Sequence, residues 1–425
     1  MTAAAAPPHT GGRLRDFRFE IESVAGMARA GVIHTPHGDI LTPTFTVVGT
    51  HGFVKFLSPE ALHSIGTQAM LSNGYHLFRH ADRVQRAGGL AAEFGWNGPT
   101  VTDSGGFQAM SLGSGLGKVI SMDRADIADA RRPAPVEERL ARVTDEGVLF
   151  RHPSDGRLDL FTPEVSIKAQ FQLGADIIMA FDELTSIGDS YDYNVQALNR
   201  TEKWAQRSLD CIRSLQSDHP EKPYQALYGI LQGAHYKDLR ESTATVLGAM
   251  GFDGYGLGGA FEKEQLSDIL YWTNSILPAH KPRHLLGLAR PDDIFVGVSM
   301  GIDTFDCVSP TREARHGRLY TSDGHINLMR SQFREDYGPI EAGCDCPTCN
   351  QGISSPVCGS ENHIPRALIR KLLRSHDQGE KRLAYQYTST HNVRFILRLM
   401  ENIRESIKNG TFAEFRHEWL ARYYR

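Results

Sequence analysis

Short apolar segments alternate with helical segments along most of this chain, and this alternation limits the possible folds more than any other feature. The apolar segments lie at 176–181, 226–233, 254–259, 284–289 and 301–307. Each one follows a longer segment of helical character, an order that is typical of βαβ units and a parallel sheet. Because the unit recurs so often, the sequence predicts an α/β fold of the (β/α)8 TIM-barrel type rather than a small open sheet.

The apolar segments end on polar residues or glycines. In a barrel the carboxyl ends of the strands meet at one face, and active sites lie at that face. A single aspartate after a strand is more often a helix N-cap, but a series at successive strand ends predicts a site. The series consists of Asp103, Asp182, Gln232, Gly258, Gly259 and Asp306.

The composition is that of a globular protein outside the membrane. Of 425 residues, 23% are charged and 40% are hydrophobic, and no apolar run approaches the roughly 20 residues of a membrane span. Six cysteines in a chain of this length do not form a disulfide framework. The N-terminal segment lacks the apolar core of a signal peptide. These features predict a cytoplasmic protein without a membrane association.

We predict three parts along the chain. Residues 1–15 form a flexible tail, and residues 16–338 form the barrel, with a surface insertion at about 115–148. Residues 339–425 contain three closely spaced cysteines in "CDCPTC", which is typical of zinc sites, and form a zinc-binding subdomain, inserted near the C-terminus, and the C-terminal helices. Helical spacing of apolar residues from Phe395 onward predicts a last long helix.

Charge is distributed unevenly between the two ends of the chain. The net charge is −4, but the segment from Arg312 to Arg425 contains 18 Lys and Arg against 13 Asp and Glu, an excess of +5. A basic C-terminal quarter is suited to a phosphate backbone. The alternative is an incidental excess on solvated helices.

Three cysteines in "CDCPTC" predict a metal site. Cys344, Cys346 and Cys349 are spaced as a tight knuckle of thiolates, and structural zinc takes four nitrogen or sulfur ligands in a closed tetrahedral site. Such a site has no open position for substrate, so the zinc is predicted to be structural. The candidates for the fourth ligand are Cys358, His363, His376 and His391.

The segment "VTDSGGFQAM" has the features of a pocket for a flat heterocycle. Two glycines after Asp103 allow the backbone to approach a ligand, and Phe107 offers a ring for stacking. Asp182 and Gln232 can accept and donate hydrogen bonds along a purine-like edge. The alternative is an ordinary glycine turn capped by the aspartate.

Several motifs together resemble one family. "VTDSGGFQAMSLG", "IIMAFDE", "GILQG", "FDGYGLGG", "FDCVSPTREARHG" and "CDCPTC…THN" are similar in order and spacing to tRNA-guanine transglycosylases, from about Phe17 to Tyr424. That family exchanges guanine at the anticodon wobble position of tRNA for a 7-deazaguanine, in queuosine modification. The resemblance implies a (β/α)8 barrel with a zinc subdomain, a tRNA substrate and a homodimer.

The resemblance also implies roles for individual residues. Asp306 resembles the nucleophile that attacks the ribose anomeric carbon, and Asp103 resembles the general acid/base. Cleavage of a glycosidic bond with retention uses one carboxylate in each of these roles. Cys344, Cys346, Cys349 and His391 resemble the ligands of one structural Zn2+ per chain.

Further residues resemble those that contact the substrate. The base-binding set is Asp103, Ser104, Gly105, Gly106, Phe107, Asp182, Gln232 and Gly259. The RNA-binding set is Gly287, Leu288, Ala289, Arg290, Pro291, Asp292, Asp293, Thr311, Arg312, Glu313, Ala314 and Arg315.

This chain departs from the family pattern beside the predicted pocket. Leu184 stands where cysteine is frequent, the loop after Gly259 is about three residues short, and Gly74 stands where threonine is usual. The first two changes border the side that would face the 7-substituent of the incoming base. We expect 7-aminomethyl-7-deazaguanine as the incoming base, with queuine close behind.

Three other functions fit parts of the sequence but not all of it. A non-catalytic, zinc-dependent tRNA-binding partner subunit is expected to lack the nucleophile, whereas Asp103 and Asp306 are both present. A zinc-dependent RNA-binding module without chemistry does not account for the polar strand ends. A barrel metallohydrolase needs His and Asp metal ligands at strand ends, where this chain has Asp, Gln and Gly.

Overall fold

The computed structural model describes residues 17–107, 141–151, 158–350 and 363–425. The predicted tail at 1–15, most of the predicted insertion at 115–148, and Cys358 lie outside these ranges. No helix in the described residues has the length and apolar character that crossing a membrane requires.

The described residues contain sixteen strands in four sheets. They are β1 (Arg18–Ala25), β2 (Ala28–Thr35), β3 (Gly38–Thr42), β4 (Thr44–Val48), β5 (Met70–Ser72), β6 (Thr100–Thr102), β7 (Ala141–Val143), β8 (Val148–Arg151), β9 (Leu158–Phe161), β10 (Ile177–Met179), β11 (Ala226–Leu231), β12 (Gly254–Leu257), β13 (Arg283–Leu285), β14 (Thr304–Cys307), β15 (Arg318–Thr321) and β16 (Gly324–Asn327).

Eight of these strands close into a parallel barrel, in the order β4, β5, β6, β10, β11, β12, β13 and β14. The barrel closes where Thr304 pairs with Thr44 and Asp306 with Thr46. The predicted (β/α)8 fold is therefore confirmed. The predicted strand at 284–289 is shorter in the structure because Gly287 turns the chain with a φ of 75°.

Helices surround the barrel. They are α1 (Pro59–Ser64), α2 (Gly74–Leu77), α3 (Ala81–Ala87), α4 (Leu90–Phe94), α5 (Pro163–Leu173), α6 (Tyr191–Asp218), α7 (Lys237–Ala249), α8 (Leu266–Asn274), α9 (Pro291–Ser299), α10 (Ser309–Arg315), α11 (Arg366–Arg374), α12 (Gln378–Lys408) and α13 (Phe412–Tyr423). Local capping explains several starts: the Thr162 side chain accepts from Val165 N before α5, and Ser190 accepts from Tyr193 N before α6.

Besides the barrel there are three small antiparallel sheets in the described residues, one of which consists of β15 and β16. β1, β2 and β3 form an antiparallel sheet, and Ile33 and Ile40 from it join an apolar cluster with the barrel residues Val101 and Ile230. β7, β8 and β9 form a second antiparallel sheet, which contributes Phe161 to an aromatic group beside the predicted pocket. The sequence reasoning did not predict either sheet.

Helix α12 connects the C-terminal part to the barrel. Its apolar stripe, from Phe395 to Ile407, is buried in one cluster with Phe45 of β4 and Trp419 of α13. The predicted last long helix is thus present, and it ends at Lys408 before Gly410, which has a φ of 73°. The domain boundary between residues 338 and 339 stays a prediction.

Candidate active site

The two aspartates that the sequence singles out lie at the carboxyl ends of barrel strands. Asp306 is the second-to-last residue of β14, and Asp103 directly follows β6. They are close enough that the negative charge of Asp306 helps to raise the pKa of Asp103. The structure therefore brings the two predicted catalytic carboxylates to one face of the barrel.

Asp306 has one oxygen fixed and one free. Its Oδ1 accepts hydrogen bonds from the backbone N–H of Gly287, at 2.9 Å, and from Nε2 of His284, at 3.1 Å. Across the described ranges no donor reaches Oδ2, and 13% of the side chain is accessible. The carboxylate is thus held by hydrogen bonds to Oδ1, while Oδ2 remains available for reaction.

Asp103 is held on both oxygens. Asn73 Nδ2 donates to Oδ2 at 2.6 Å, and the Gly74 N–H donates to Oδ1 at 2.9 Å. Burial raises the pKa of Asp103 to about 7, Asp306 adds to the rise, and the hydrogen bonds from Gly74, Gly105 and Asn73 oppose it. A pKa near neutrality suits a group that gives and takes a proton.

The structure explains why position 74 is a glycine in this chain. A Cβ at this position would lie 2.4 Å from the carbonyl oxygen of Asp103. The close approach that lets the Gly74 N–H reach the Asp103 carboxylate therefore leaves no space for a side chain.

Asp182 is buried and lies between two hydrogen-bond donors. Ser104 Oγ donates to Oδ1 at 2.9 Å, and Gln232 Nε2 donates to Oδ2 at 2.7 Å. Burial raises the pKa of Asp182 to about 6, although both hydrogen bonds lower it. A Cβ at Gly106 would lie 2.5 Å from Asp182 Oδ1, so only glycine allows this approach.

The side-chain oxygen of Gln232 is a hydrogen-bond acceptor that receives no hydrogen bond from the described residues. This atom, Oε1, is buried. A buried polar atom in this condition costs about 1–3 kcal/mol, and a ligand N–H that reached it would remove the cost. The Asp182 and Gln232 pair therefore offers both kinds of hydrogen bond to one flat edge.

Arg240, which the sequence reasoning missed, supports the glycine loop. Its buried guanidinium donates to the carbonyl oxygens of Ala234, Leu231 and Gly258. Burial lowers its pKa to about 9, so it remains charged at neutral pH. A Cβ at Gly259 would lie 2.2 Å from its Nη2 atom, and Gly259 has a φ of 129°. The glycine is required by both the contact and the backbone conformation.

The remaining predicted pocket residues lie around this centre. Phe107 is 38% exposed, which leaves its ring available for stacking. Gly105 has a φ of 84° and turns the chain between Ser104 and Phe107. Leu184 is buried and brings only apolar surface.

The predicted RNA-binding segment 287–293 is mostly buried. The side chains of Leu288, Ala289, Pro291 and Asp293 are buried, and Arg290 is exposed. Asp292 makes an ion pair with Lys263 and accepts a hydrogen bond from the Tyr424 hydroxyl at 2.8 Å. Arg290 is thus the side chain of this segment most accessible to a polyanion.

The predicted RNA-binding segment 311–315 forms most of helix α10. Arg312 is exposed, and its guanidinium donates to Ser309 Oγ on its own helix, at 3.2 Å. Arg315 is half-buried and donates to the Thr311 carbonyl. Glu313 pairs with Arg318, whereas the side chains of Thr311 and Ala314 are buried. Arg312 is the more accessible of the two arginines.

A second group of residues can hold a metal ion. Within the described residues, Cys344, Cys346, Cys349 and His391 present ligand atoms that all lie within 4.8 Å of one another, and all four are buried. Helix α12 supplies His391, which ties this helix to the cysteine knuckle. His363 instead contacts the Tyr337 carbonyl, and Cys358 is outside the described residues.

The geometry of this group fits a tetrahedral ion. The three sulfur atoms lie 3.6, 3.6 and 3.4 Å from His391 Nδ1, and a tetrahedral zinc would hold sulfur and nitrogen about 3.5 Å apart. His391 Nε2 donates to the Tyr320 carbonyl at 2.7 Å. That bond directs Nδ1 toward the sulfur atoms, as is usual for a metal-binding histidine.

Comparison with known proteins places the chain among tRNA-modifying enzymes. Residues 24–425 match the family model of queuine tRNA-ribosyltransferase. A queuine tRNA-ribosyltransferase of Roseiflexus sp. is 40% identical over 417 residues, which cover 95% of this chain and 98% of the relative. One from Dictyoglomus turgidum is 40% identical over 414 residues, 96% of this chain and 95% of the relative. One from Geobacillus kaustophilus is 38% identical over 96% of both chains.

Proposed function

Because this chain belongs to the queuine tRNA-ribosyltransferase family, we propose that it is a tRNA-guanine transglycosylase. It exchanges guanine at the anticodon wobble position of tRNA for a 7-deazaguanine, in queuosine modification. The observation that carries the proposal is the pair of aspartates at the carboxyl end of the barrel. Asp306 keeps one oxygen free, and Asp103 has a pKa of about 7.

The reaction proceeds in two displacements at the ribose. Asp306 Oδ2 attacks C1′, the bond from C1′ to N9 of guanine breaks, and its electron pair leaves with the base. Asp103 donates the proton that makes guanine a neutral leaving group. The result is a covalent ester between Asp306 and the ribose.

The second displacement reverses these roles. The incoming base gives a proton to Asp103, and its N9 attacks C1′ as the bond to Asp306 breaks. Each step inverts C1′, so the nucleoside keeps its original configuration. The same two carboxylates therefore perform both halves of the exchange.

The base is recognised at its hydrogen-bonding edge. Asp182 accepts from the ring N–H and the exocyclic amine that guanine and 7-deazaguanines share, and Gln232 pairs with the same edge. The unpartnered Oε1 of Gln232 supports this assignment. Phe107 stacks on the ring, while the backbone from Ser104 to Gly106, together with Gly259, lines the pocket.

The 7-substituent meets Leu184 and the short loop after Gly259. A shorter loop leaves more space, which favours queuine, whereas Glu262 at its end offers a carboxylate to an aminomethyl group. We assign 7-aminomethyl-7-deazaguanine as the preferred base and queuine as the close second. An unpaired polar group in such a site costs about 1–3 kcal/mol, so one contact decides the preference.

The tRNA backbone docks beside the barrel mouth. Arg290 and Arg312 are the exposed cations of segments 287–293 and 311–315, and they are suited to phosphates. Arg315 and the buried members of both segments shape the surface that these arginines occupy. The basic C-terminal quarter extends the same attraction.

The cysteine and histidine group holds one structural zinc ion. Three thiolates and one imidazole form a closed donor set that suits Zn2+, and the sulfur-to-nitrogen distances support it. The ion would stabilise the packing of α12 against the knuckle and take no part in the chemistry. We also propose a cytoplasmic location, because the cytoplasm keeps thiols reduced. The protein is further proposed to work as a homodimer.

The experiment that tests this function is the exchange of radiolabelled guanine in tRNA. The wild-type protein is expected to incorporate labelled guanine at the wobble position and to release it when 7-aminomethyl-7-deazaguanine or queuine is added. Competition between these two bases measures the preference. If labelled guanine does not exchange at all, the chain is not a transglycosylase, and a non-catalytic tRNA-binding subunit becomes the better description.

A further inference from the structure

We propose that His284 is a positioning residue for the nucleophile Asp306, and that Thr304 sets the tautomer in which it acts. This inference rests on the proposed function. In the sequence, His284 stands out only as part of the predicted apolar strand at 284–289. The basis of the inference is a chain of three side chains on two neighbouring strands.

The strand pairing brings these side chains together. In the parallel pair of β13 and β14, His284 is the register partner of Thr304. Asp306 follows Thr304 by two residues and so faces the same side of the sheet. The imidazole is 97% buried, with 3% of its surface exposed, so bulk water does not compete for its nitrogens.

Each nitrogen of the imidazole has one partner. Nε2 lies 3.1 Å from Asp306 Oδ1, and Nδ1 lies 2.8 Å from Thr304 Oγ1. The hydroxyl of Thr304 can donate or accept, whereas an ionised carboxylate only accepts. The pattern that satisfies all three groups has a proton on Nε2, donated to Asp306, and a bare Nδ1 that accepts from the Thr304 hydroxyl.

This arrangement explains which oxygen of Asp306 reacts. His284 Nε2 and the Gly287 N–H both donate to Oδ1. Two donors on one oxygen fix the rotation of the carboxylate and direct Oδ2 toward the mouth. A nucleophile held in this way begins close to its attack geometry, and a misplacement of about 1 Å can cost about 100-fold in rate.

The matched variants are His284→Gln and His284→Met. Glutamine carries an N–H three bonds beyond Cβ, at the same reach as histidine Nε2, whereas methionine has a similar length and volume without a donor. We expect His284→Met to lower kcat by about 10- to 100-fold with little change in KM for the base or in tRNA binding. His284→Gln is expected to restore most of kcat.

A spectroscopic measurement tests the tautomer without using activity. The imidazole nitrogens are labelled with 15N in the full-length protein, and the His284 signals are assigned as those lost in His284→Gln. Near pH 8 the proposal requires protonated Nε2 and bare Nδ1, and Thr304→Val should weaken that preference. A ring protonated on Nδ1, or on both nitrogens, overturns the proposal.

The activity outcomes separate this inference from the proposed function. If the wild-type protein exchanges guanine and His284→Met keeps the same kcat, the positioning role is wrong while the function stands. If both variants lose activity equally although they fold and retain zinc, the Nε2 donor is not what matters, and the role is also wrong. If the wild-type protein exchanges no guanine, the function and the positioning role are overturned together.

Discussion

At the scale of single residues, three aspartates near the barrel mouth have different surroundings. Asp306 receives two donors on one oxygen, Asp103 receives donors on both, and Asp182 lies between Ser104 and Gln232. Burial raises the pKa of Asp103 to about 7 and that of Asp182 to about 6. In the proposed mechanism, one type of side chain serves for attack, for proton transfer and for base recognition because its environment differs.

The raised pKa of Asp182 predicts a pH-dependent effect on stability. Its carboxyl binds a proton more tightly in the folded protein than in the unfolded chain, where the ordinary pKa of 3.8 applies. Wild-type stability therefore decreases as pH rises from about 4 to about 6, and Asp182→Asn removes this titration. We expect the Tm difference, variant minus wild type, to grow across that window and then level off, and the corresponding difference in the free energy of unfolding to total about 3 kcal/mol.

Calorimetry of both proteins from about pH 4 to about pH 8 measures this difference. The comparison is between slopes, so the hydrogen bond that asparagine cannot replace shifts all values equally. A Tm difference that is constant with pH would mean that Asp182 has an ordinary pKa in the folded protein.

At the scale of elements, Lys263 connects the short pocket loop to the start of helix α9. Its ammonium group pairs with Asp292 and lies 3.4 Å from Asp293 Oδ1. Burial raises the pKa of Asp293 to about 6, and Lys263 opposes the rise. The loop after Gly259 is therefore held by charge as well as by its short length.

We expect Lys263→Met to raise KM for the incoming base more than it lowers kcat, because in our proposal the loop borders the 7-substituent. Stability should fall by about 2 kcal/mol, less than for a fully buried pair because the lysine is partly exposed. Lys237→Met, which removes an exposed lysine on α7 paired with Glu241 at 3.7 Å, is the control. Equal KM values for the two variants would show that Lys263 does not shape the pocket.

Helix α10 carries the second prediction at this scale. Arg312→Ala should weaken tRNA binding and reduce the slope of log K against log salt by about 0.7, the change for one phosphate contact on a single strand. Arg315→Ala should change the slope less, because Arg315 is half-buried and bonded to Thr311. Binding titrations over a range of salt give both slopes, and an unchanged slope for Arg312→Ala contradicts the contact.

The sequence predicts some elements of this molecule well and others poorly. The barrel follows from apolar runs between helices, and Asp103, Asp182 and Asp306 follow from their places at strand ends. Asn73, His284 and Arg240 were missed because their contacts depend on strand register and on closure of the barrel, which a local pattern does not contain.

The strand β13 illustrates the limit. The apolar run at 284–289 suggested a strand of ordinary length, but β13 ends at Leu285 and Gly287 turns the chain. That turn brings the Gly287 N–H to Asp306, whereas the pairing of β13 with β14 makes His284 a neighbour of Asp306. The apolar character of the run indicates that it is buried, but it does not show where the strand ends. The glycine within the run is the feature of the sequence that indicates a turn.

At the scale of the whole molecule, the metal group joins the C-terminal part to the catalytic barrel. The three cysteines pack in one apolar cluster with Ala314 of α10, and His391 lies on the helix that also packs against β4. Loss of the proposed zinc ion should therefore destabilise both α10, the proposed RNA-binding helix, and the packing of α12 on the barrel.

We expect Cys346→Ser to release about one zinc ion per chain and to increase amide hydrogen exchange in α10 and in residues 339–425, because binding of structural zinc is coupled to folding. Weaker tRNA binding should follow. Cys211→Ser is the control, since Cys211 is a free, half-buried cysteine outside the metal group. Metal analysis that finds no zinc in the wild-type protein, or full retention of zinc in His391→Ala, contradicts the site.

The most direct test of the account is the detection of a covalent adduct between this protein and tRNA. The wild-type protein, mixed with substrate tRNA and freed of released guanine, is expected to form an adduct that survives denaturant. Mass spectrometry after digestion should locate the ribose on the peptide that contains Asp306. Asp306→Asn should bind tRNA and form no adduct. An adduct at another residue, or an adduct that persists in Asp306→Asn, would contradict the assignment of Asp306 as the nucleophile.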